Sequence, residues 1–335
     1  MNITIIGGSG FVGSRLIAFF KKFSDLELLN IDKMQSDIYP EITVIANVMD
    51  IDALNKHLMG TDVVVLLAAE HHDNVSPVSL YYDVNVVGMR NTLLAMQSNG
   101  IKRLVFTSSV AIYGLNKQNP SETHPADPFN DYGRSKWQAE CLLQEWHQMH
   151  PDWNINIIRP TVIFGEKNRG NVYNLLRQIA SGKFVMIGNG HNKKSMAYVG
   201  NVVAFISFLI HKEYKGYNVF NYVDTPDLSM NDLVYYVVEA LNKHVLKVHF
   251  PYWLGLFAGY SFDLLGKILN RKLIVSSVRV KKFCAVTQFD ASKAQHSGFQ
   301  PAYSLKGGLV RTLQFEFAPT KHEKSDPNLI VTSNK

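Results

Sequence analysis

The chain opens on a short apolar run, Ile3-Thr4-Ile5-Ile6, which passes directly into Gly7-Gly8-Ser9-Gly10-Phe11-Val12-Gly13 and then into a helical pattern reaching about Phe23. A strand joined to a helix through a glycine-rich turn is the first half of a βαβ unit, and it restricts the fold more than any composition does. Short apolar runs recur near residues 26–31, 42–46, 62–68, 102–107 and 154–159, with intervals long enough for helices. That alternation predicts an α/β fold, a doubly wound parallel sheet with helices on both faces. Beyond about residue 165 the pattern loosens into helices near 171–181, 200–211 and 229–242 with short strands among them. The expected division is a first domain over residues 1–165, a smaller C-terminal lobe over 166–319 that exchanges segments with it, and a polar, flexible tail over 320–335.

Gly7, Gly10 and Gly13 are spaced as GxxGxxG. In a Rossmann-type domain such glycines let the backbone approach a dinucleotide pyrophosphate at a helix N-terminus, where free amides meet the negative charge. Phe11 and Val12, in the same helical turn, belong to this cofactor-binding set. Asp32 closes the next apolar run, where its carboxylate can accept both ribose hydroxyls of NAD and repel the extra phosphate of NADP. Lys33 beside it softens that repulsion. NAD is the expected cofactor.

Composition narrows the setting. With 46% apolar and 19% charged residues the chain is neither disordered nor collagen-like. Cys141 and Cys284 form no CxxC pair, so neither a disulfide framework nor a cysteine zinc site is expected, and a reducing, cytoplasmic location fits. Met1-Asn2 leads straight into the first strand without a basic start or cleavage site, so no signal peptide is expected. The net charge of +6 favours anionic ligands or an anionic membrane surface. Basic clusters interleaved with aromatics are missing, and no nucleic-acid partner is expected. His71-His72-Asp73 lacks a third ligand at metal spacing and reads as a loop beside the cofactor; no metal is expected.

Tyr132-Gly133-Arg134-Ser135-Lys136 places a phenol and an ammonium on one helix face, in a helix expected to run to about His150. A neighbouring ammonium favours the phenolate, which can then take a proton from a sugar hydroxyl. Thr107-Ser108-Ser109 ends the strand from 102 and brings hydroxyls to the sheet edge where ligands bind.

This combination resembles the extended short-chain dehydrogenase/reductases, the NAD-dependent epimerase/dehydratase family that acts on activated sugars, over about residues 1–315. The resemblance implies Tyr132 as catalytic base and Lys136 as its activator. Ser109, opening Ser109-Val110-Ala111-Ile112-Tyr113-Gly114, would hydrogen-bond the reacting sugar oxygen. It further implies that Leu67, Ala68 and Ala69 lie along the cofactor, that Ser108 and Asn85 belong to its site, and that Asn47 and Val48 meet the adenine, Asn47 replacing the family's acidic residue. Val110-Ala111 stands where the family's dehydratases carry an Asp-Glu pair, so epimerisation, which needs only one base and a reusable NAD, is the expected reaction. Lys194 and Arg279 match the family's diphosphate-binding arginines, and Lys194 gives up a bidentate contact.

Residues 251–269 form an aromatic-rich amphipathic stretch, with Leu254, Phe257, Ala258, Phe262, Leu264, Leu265, Ile268 and Leu269 on one side, Asp263 and Lys267 opposite, and Arg271-Lys272 trailing. The charges interrupt it too early for a membrane span. A helix packed on the C-terminal lobe and an interfacial helix both fit. Three longer stretches, 68–86, 168–184 and 276–290, resemble a subgroup of O-antigen pathway epimerases that act on N-acetylhexosamine linked to undecaprenyl diphosphate. That resemblance implies a lipid-linked sugar diphosphate as substrate, peripheral contact with the inner face of the cell membrane, and a homodimer. A UDP-N-acetylglucosamine 4-epimerase is the alternative. A non-catalytic NAD-sensing protein is a remoter one, since it would be expected to lose the Tyr or the Lys.

Overall fold

The computed structural model describes residues 1–72, 75–182, 184–243, 248–269 and 276–318. Asp73, Arg271, Lys272 and the tail expected over 320–335 lie outside the described residues. Six strands follow the expected runs: β1 (Asn2–Ile6), β2 (Glu27–Asp32), β3 (Thr43–Ile45), β4 (Val63–Leu66), β5 (Arg103–Thr107) and β6 (Asn154–Pro160). The remaining strands are β7 (Val162–Phe164), β8 (Met186–Ile187), β9 (Lys193–Tyr198), β10 (Tyr217–Tyr222), β11 (Asp224–Ser229) and β12 (His249–Phe250). A seven-stranded sheet in the order β10-β6-β5-β4-β1-β2-β3 is parallel throughout. Its order reverses between β1 and β4, and in open α/β sheets ligands bind beyond the carboxyl ends of the strands at such a reversal.

Helices α1 (Phe11–Phe20), α2 (Ile51–His57), α3 (Ser79–Tyr82), α4 (Gly88–Ser98) and α5 (Asp131–Met149) belong to the first half of the chain. They are followed by α6 (Asn171–Ala180), α7 (Val199–Lys212), α8 (Met230–Leu241), α9 (Tyr252–Ile268), α10 (Ser277–Cys284), α11 (Ser292–Gln295) and α12 (Leu305–Phe317). Strand side chains alternate between two cores, as a period of two requires: Val63 and Val65 face one, Val64 and Leu66 the other. Leu54, Leu93 and Leu143 of α2, α4 and α5 cover the second. Leu16 and Phe20 of α1 and Ile206 of α7 cover the first, which continues into the C-terminal lobe through Leu176, Leu233 and Leu309. Each such side chain contributes roughly 1.5–3 kcal/mol through burial.

The chain re-enters the first unit after residue 165. Helix α7 packs on α1, and β10 pairs with β6 as an edge strand of the main sheet. Glu166, 2% exposed, holds the junction: Arg15 of α1 donates to its carbonyl at 2.8 Å, and Arg311 of α12 stands 3.6 Å from its carboxylate.

Candidate active site

Gly7 begins the site. Its φ of +93° is open to glycine, and a Cβ there would sit 2.4 Å from the Ala68 nitrogen, so the turn after β1 and the loop after β4 touch through bare backbone. Both ends of that contact hang from one carbonyl, since Leu67 and Ala68 each donate to Ile6 O at 2.8 Å. A Cβ on Gly10 would meet only Gly7 O, at 3.5 Å, which leaves that face of the turn clear. Gly10 caps α1 in an extended conformation with no side-chain hydrogen bond, whereas Asp50, Asn130, Ser229, Ser276 and Ser304 cap their helices with side chains. The first-turn amides of α1, from Phe11 and Val12 to Gly13, are thus left for an anion, as a dinucleotide pyrophosphate requires.

Asp32 ends β2 beside this turn. Its carboxylate accepts from Ser9 N and Met34 N, both at 3.0 Å, and keeps lone pairs on each oxygen for ribose hydroxyls. Asn30, two residues earlier and fully buried, accepts from Gly8 N at 2.8 Å and donates to Ser9 and Thr43 hydroxyls, both at 3.0 Å. Sequence reasoning passed over Asn30, although an amide inside an otherwise apolar strand was its signal. Val48 is buried against Gly88, while Asn47 is exposed and accepts from Met49 N at 3.0 Å. These residues fit NAD, and replacing Asp32 by Ala is expected to raise the preference for NADP relative to NAD, measured by competitive binding of the two. An unchanged ratio moves the ribose contact elsewhere.

Asn85 sits in a π-helical turn, Asp83–Val87, that joins α3 to α4. Its amide accepts from Glu70 N at 2.9 Å and donates to Glu70 O at 3.1 Å and to the Ser135 hydroxyl at 2.8 Å. It thereby links the loop after β4 to α5. In that loop His72 Nδ1 lies 2.9 Å from Glu70 Oε1, and the His71 and His72 rings stack at 4.6 Å. Partial desolvation, then the neighbouring His72, pushes the His71 imidazole down, with Lys136 adding to the effect.

Helix α5 carries Tyr132 and Lys136. Asn130 caps it by accepting from Gly133 N at 2.9 Å. A Cβ on Gly133 would sit 2.7 Å from Ala111 O, so glycine is what lets the first turn of α5 approach the 3₁₀ turn Val110–Tyr113. Ser109 caps that short turn, accepting from Ala111 N at 3.1 Å, and its hydroxyl acts on the Tyr132 phenol by favouring the ionised form. Tyr132 is half-buried, and desolvation pushes its phenol up, with the Ser109 bond opposing. Lys136 is 2% exposed, donates to Thr107 O at 2.8 Å and lies 4.7 Å over the Phe106 ring. Burial pushes its ammonium down to about 7, with the Glu140 charge opposing. The expected lowering of the phenol by Lys136 is therefore not what the protein alone produces: desolvation dominates at both groups. Ser108 turns its hydroxyl inward to the Glu140 carboxylate.

The candidate diphosphate residues lie in the C-terminal lobe. Lys194 of β9 donates to Ala285 O at 2.5 Å, just past the end of α10, and burial pushes its ammonium down to about 8. Arg279 is exposed in the first turn of α10. Asn201, in α7, is fully buried and donates to Asp224 at 3.0 Å and to Tyr303 O at 2.7 Å.

A Rossmann sheet, an uncapped helix N-terminus at its switch point and a Ser-Tyr-Lys arrangement on the adjoining strand end and helix define an NAD-dependent enzyme, and the chain belongs to the NAD dependent epimerase/dehydratase family, whose model matches residues 3–221. It is 60% identical, over 99% of both chains, to the N-acetyl-alpha-D-glucosaminyl-diphospho-ditrans,octacis-undecaprenol 4-epimerase of Escherichia coli O157:H7. A UDP-glucose 4-epimerase of Vibrio cholerae is 27% identical over 93% of this chain and 94% of its own length. The fold matches the crystal structure of a UDP-glucuronic acid 4-epimerase from Bacillus cereus in complex with NAD, with a TM-score of 0.75, 19% identity and coverage of 94% of this chain and 98% of that one.

Proposed function

We propose that this chain is a 4-epimerase that interconverts N-acetylglucosamine and N-acetylgalactosamine on undecaprenyl diphosphate, in polysaccharide assembly. The observation that carries this reading is the 60% identity, end to end, with a relative named for that substrate. Bound NAD would supply the hydride acceptor and donor for the sugar C4. Tyr132 takes the proton of the C4 hydroxyl as that carbon is oxidised, and returns it after the 4-keto sugar has turned its other face. Ser109 hydrogen-bonds the same sugar oxygen and the phenol, and the Lys136 ammonium stabilises the phenolate. Gly7, Gly10, Gly13 and Asp32 hold the dinucleotide, while Lys194 and Arg279 face the diphosphate.

The lipid handle accounts for α9. The helix packs through its small residues: a Cβ on Gly255 would sit 2.6 Å from Ile187, and one on Gly259 would sit 2.8 Å from Ser277. Asp263 accepts from Ser277 N at 3.1 Å on the same side. The large side chains are left outside, with Trp253 68%, Phe257 69% and Leu264 62% exposed. Beside them stand the exposed Lys267, Arg279 and Lys281. An apolar face with basic neighbours suits the surface of an anionic bilayer. Undecaprenol does not leave the bilayer readily, since each exposed CH₂ costs about 0.8 kcal/mol. Among the described residues no helix is long and apolar enough to cross a membrane, and the contact proposed for α9 is with the bilayer surface. Val87 and Leu94, seven residues apart along the π turn and α4 and both exposed, form a stripe that a second copy of the chain covers in a homodimer.

Incubation with undecaprenyl-diphospho-N-acetylglucosamine and, separately, with UDP-N-acetylglucosamine tests the substrate. The lipid-linked sugar is expected to be epimerised without net NADH, and exclusive turnover of the nucleotide sugar overturns this reading in favour of the nucleotide-sugar one. In the same preparation, Trp253→Ser with Phe257→Ser is expected to abolish sedimentation with anionic liposomes while NAD binding persists. Equal sedimentation of native and variant chains removes α9 from the membrane contact.

A further inference from the structure

We propose that Glu140 is a positioning residue for the proton-transfer pair: one turn behind Lys136 on α5, it supplies the negative charge beside the ammonium and ties the strand end bearing Ser109 to the helix bearing Tyr132. This rests on the reading of Tyr132 and Lys136 given above. Glu140 is 1% exposed and fully engaged. Ser108 donates its hydroxyl to Oε1, and Arg159 of β6 grips both oxygens, with Nε at 3.0 and 3.1 Å and a terminal nitrogen 2.5 Å from Oε2. Arg159 is braced in turn, donating to the Tyr113 hydroxyl at 2.7 Å and to Glu122 O at 3.1 Å, and Tyr113 donates to Asn221 Oδ1 at 2.7 Å. Helix α5 therefore makes two side-chain ties, one turn apart, to consecutive residues of the β5 end: Lys136 to Thr107 O and Glu140 to Ser108. Ser109 follows directly.

Few groups surround Lys136. From β5 come the Thr107 carbonyl and the Phe106 ring, from the loop after β4 comes His71, and from its own helix come Tyr132 and Glu140. Around Glu140 stand Ser108, Arg159, Tyr113 through Arg159, and Tyr217 of β10, whose hydroxyl reaches the Glu140 carbonyl at 3.4 Å. Burial disfavours the Lys136 ammonium, and Glu140 is the charge that opposes it. A buried ion pair is weak evidence of a purely stabilising role, since well-packed apolar residues do as well. What Glu140 adds is a fixed negative charge beside a lysine that works only when protonated.

The test follows Lys136 directly, by NMR of protein carrying ¹³Cε-labelled lysine, with the resonance assigned through Lys136→Arg. In Glu140→Gln the titration midpoint of Lys136 is expected to fall by about one pH unit, a tenfold change in its acid dissociation constant. Because the working lysine is the charged form, lost as pH rises, the alkaline limb of kcat is expected to move to lower pH with KM unchanged. Glu140→Gln strands Arg159, so Glu140→Gln with Arg159→Met repeats the measurement in a core without an unpaired charge. A downward shift is expected there too, smaller than in the single variant because the Arg159 charge is removed together with its partner. If activity falls equally at every pH and the midpoint stays in place, Glu140 only braces the strand and the proposal is overturned. Lys136→Met isolates the other failure: retained turnover in that variant refutes the catalytic reading itself, whatever Glu140 does to the titration.

Discussion

Tyr132→Phe is expected to lower epimerase turnover by about 10²–10⁴-fold and to leave NAD bound. The size is that of removing the proposed general base from the proton-transfer step. The aromatic ring stays, so the packing of α5 against the 3₁₀ turn at Val110–Tyr113 persists, and only the phenolic oxygen is lost. Single-turnover kinetics beside a fluorescence measurement of bound dinucleotide separate the two effects. A Phe variant that epimerises at a near-native rate would falsify the assignment of Tyr132. One that loses NAD as well would make the residue a cofactor ligand first.

Arg159→Met is expected to cost about 3–5 kcal/mol of stability, because it leaves the Glu140 carboxylate buried without its counter-charge. Both side chains are almost fully enclosed, with Arg159 at 5% and Glu140 at 1% exposure. Tyr113 loses its guanidinium partner at the same time, though it keeps Asn221. Denaturant unfolding followed by circular dichroism measures the loss. The double change with Glu140→Gln is expected to recover most of it, since no charge is then stranded. A single variant as stable as the native chain would mean that water reaches the Glu140 pocket.

Local rules made the first half of the molecule readable. A glycine turn between an apolar run and a helix, Asp32 at the end of the next run and a YxxxK helix each follow from residues close together in the chain, and each appears where expected. The strands of the C-terminal half were less legible. Strand β10, Tyr217–Tyr222, joins the main sheet beside β6, a pairing across a long stretch of chain that no short pattern announces. The Glu140–Arg159 pair is of the same kind, with one partner on α5 and the other on β6. The inward turn of Ser108 follows from that pair and was equally hidden. In α9 the apolar arc is legible in the sequence, whereas its direction is left open there. Close approach at Gly255 and Gly259 decides which side packs, and a hydrophobic arc alone does not say whether its partner is protein or solvent. The protonation of Tyr132 and Lys136 was beyond reach for another reason, because the dominant influence on both is burial.

Tyr132, Lys136 and Glu140 occupy one stripe of a single helix, spaced by four residues, so the stripe spans about 12 Å. The helix is pinned to the sheet at Thr107 and Ser108, whereas Lys194 and Arg279 belong to the other lobe. A shift of that lobe would change how far Lys194 and Arg279 stand from the sheet without altering the spacing among Tyr132, Lys136 and Glu140. One helix and one strand end therefore set the geometry of these three side chains by themselves, and a substrate of any bulk held in the other lobe would meet the same fixed spacing.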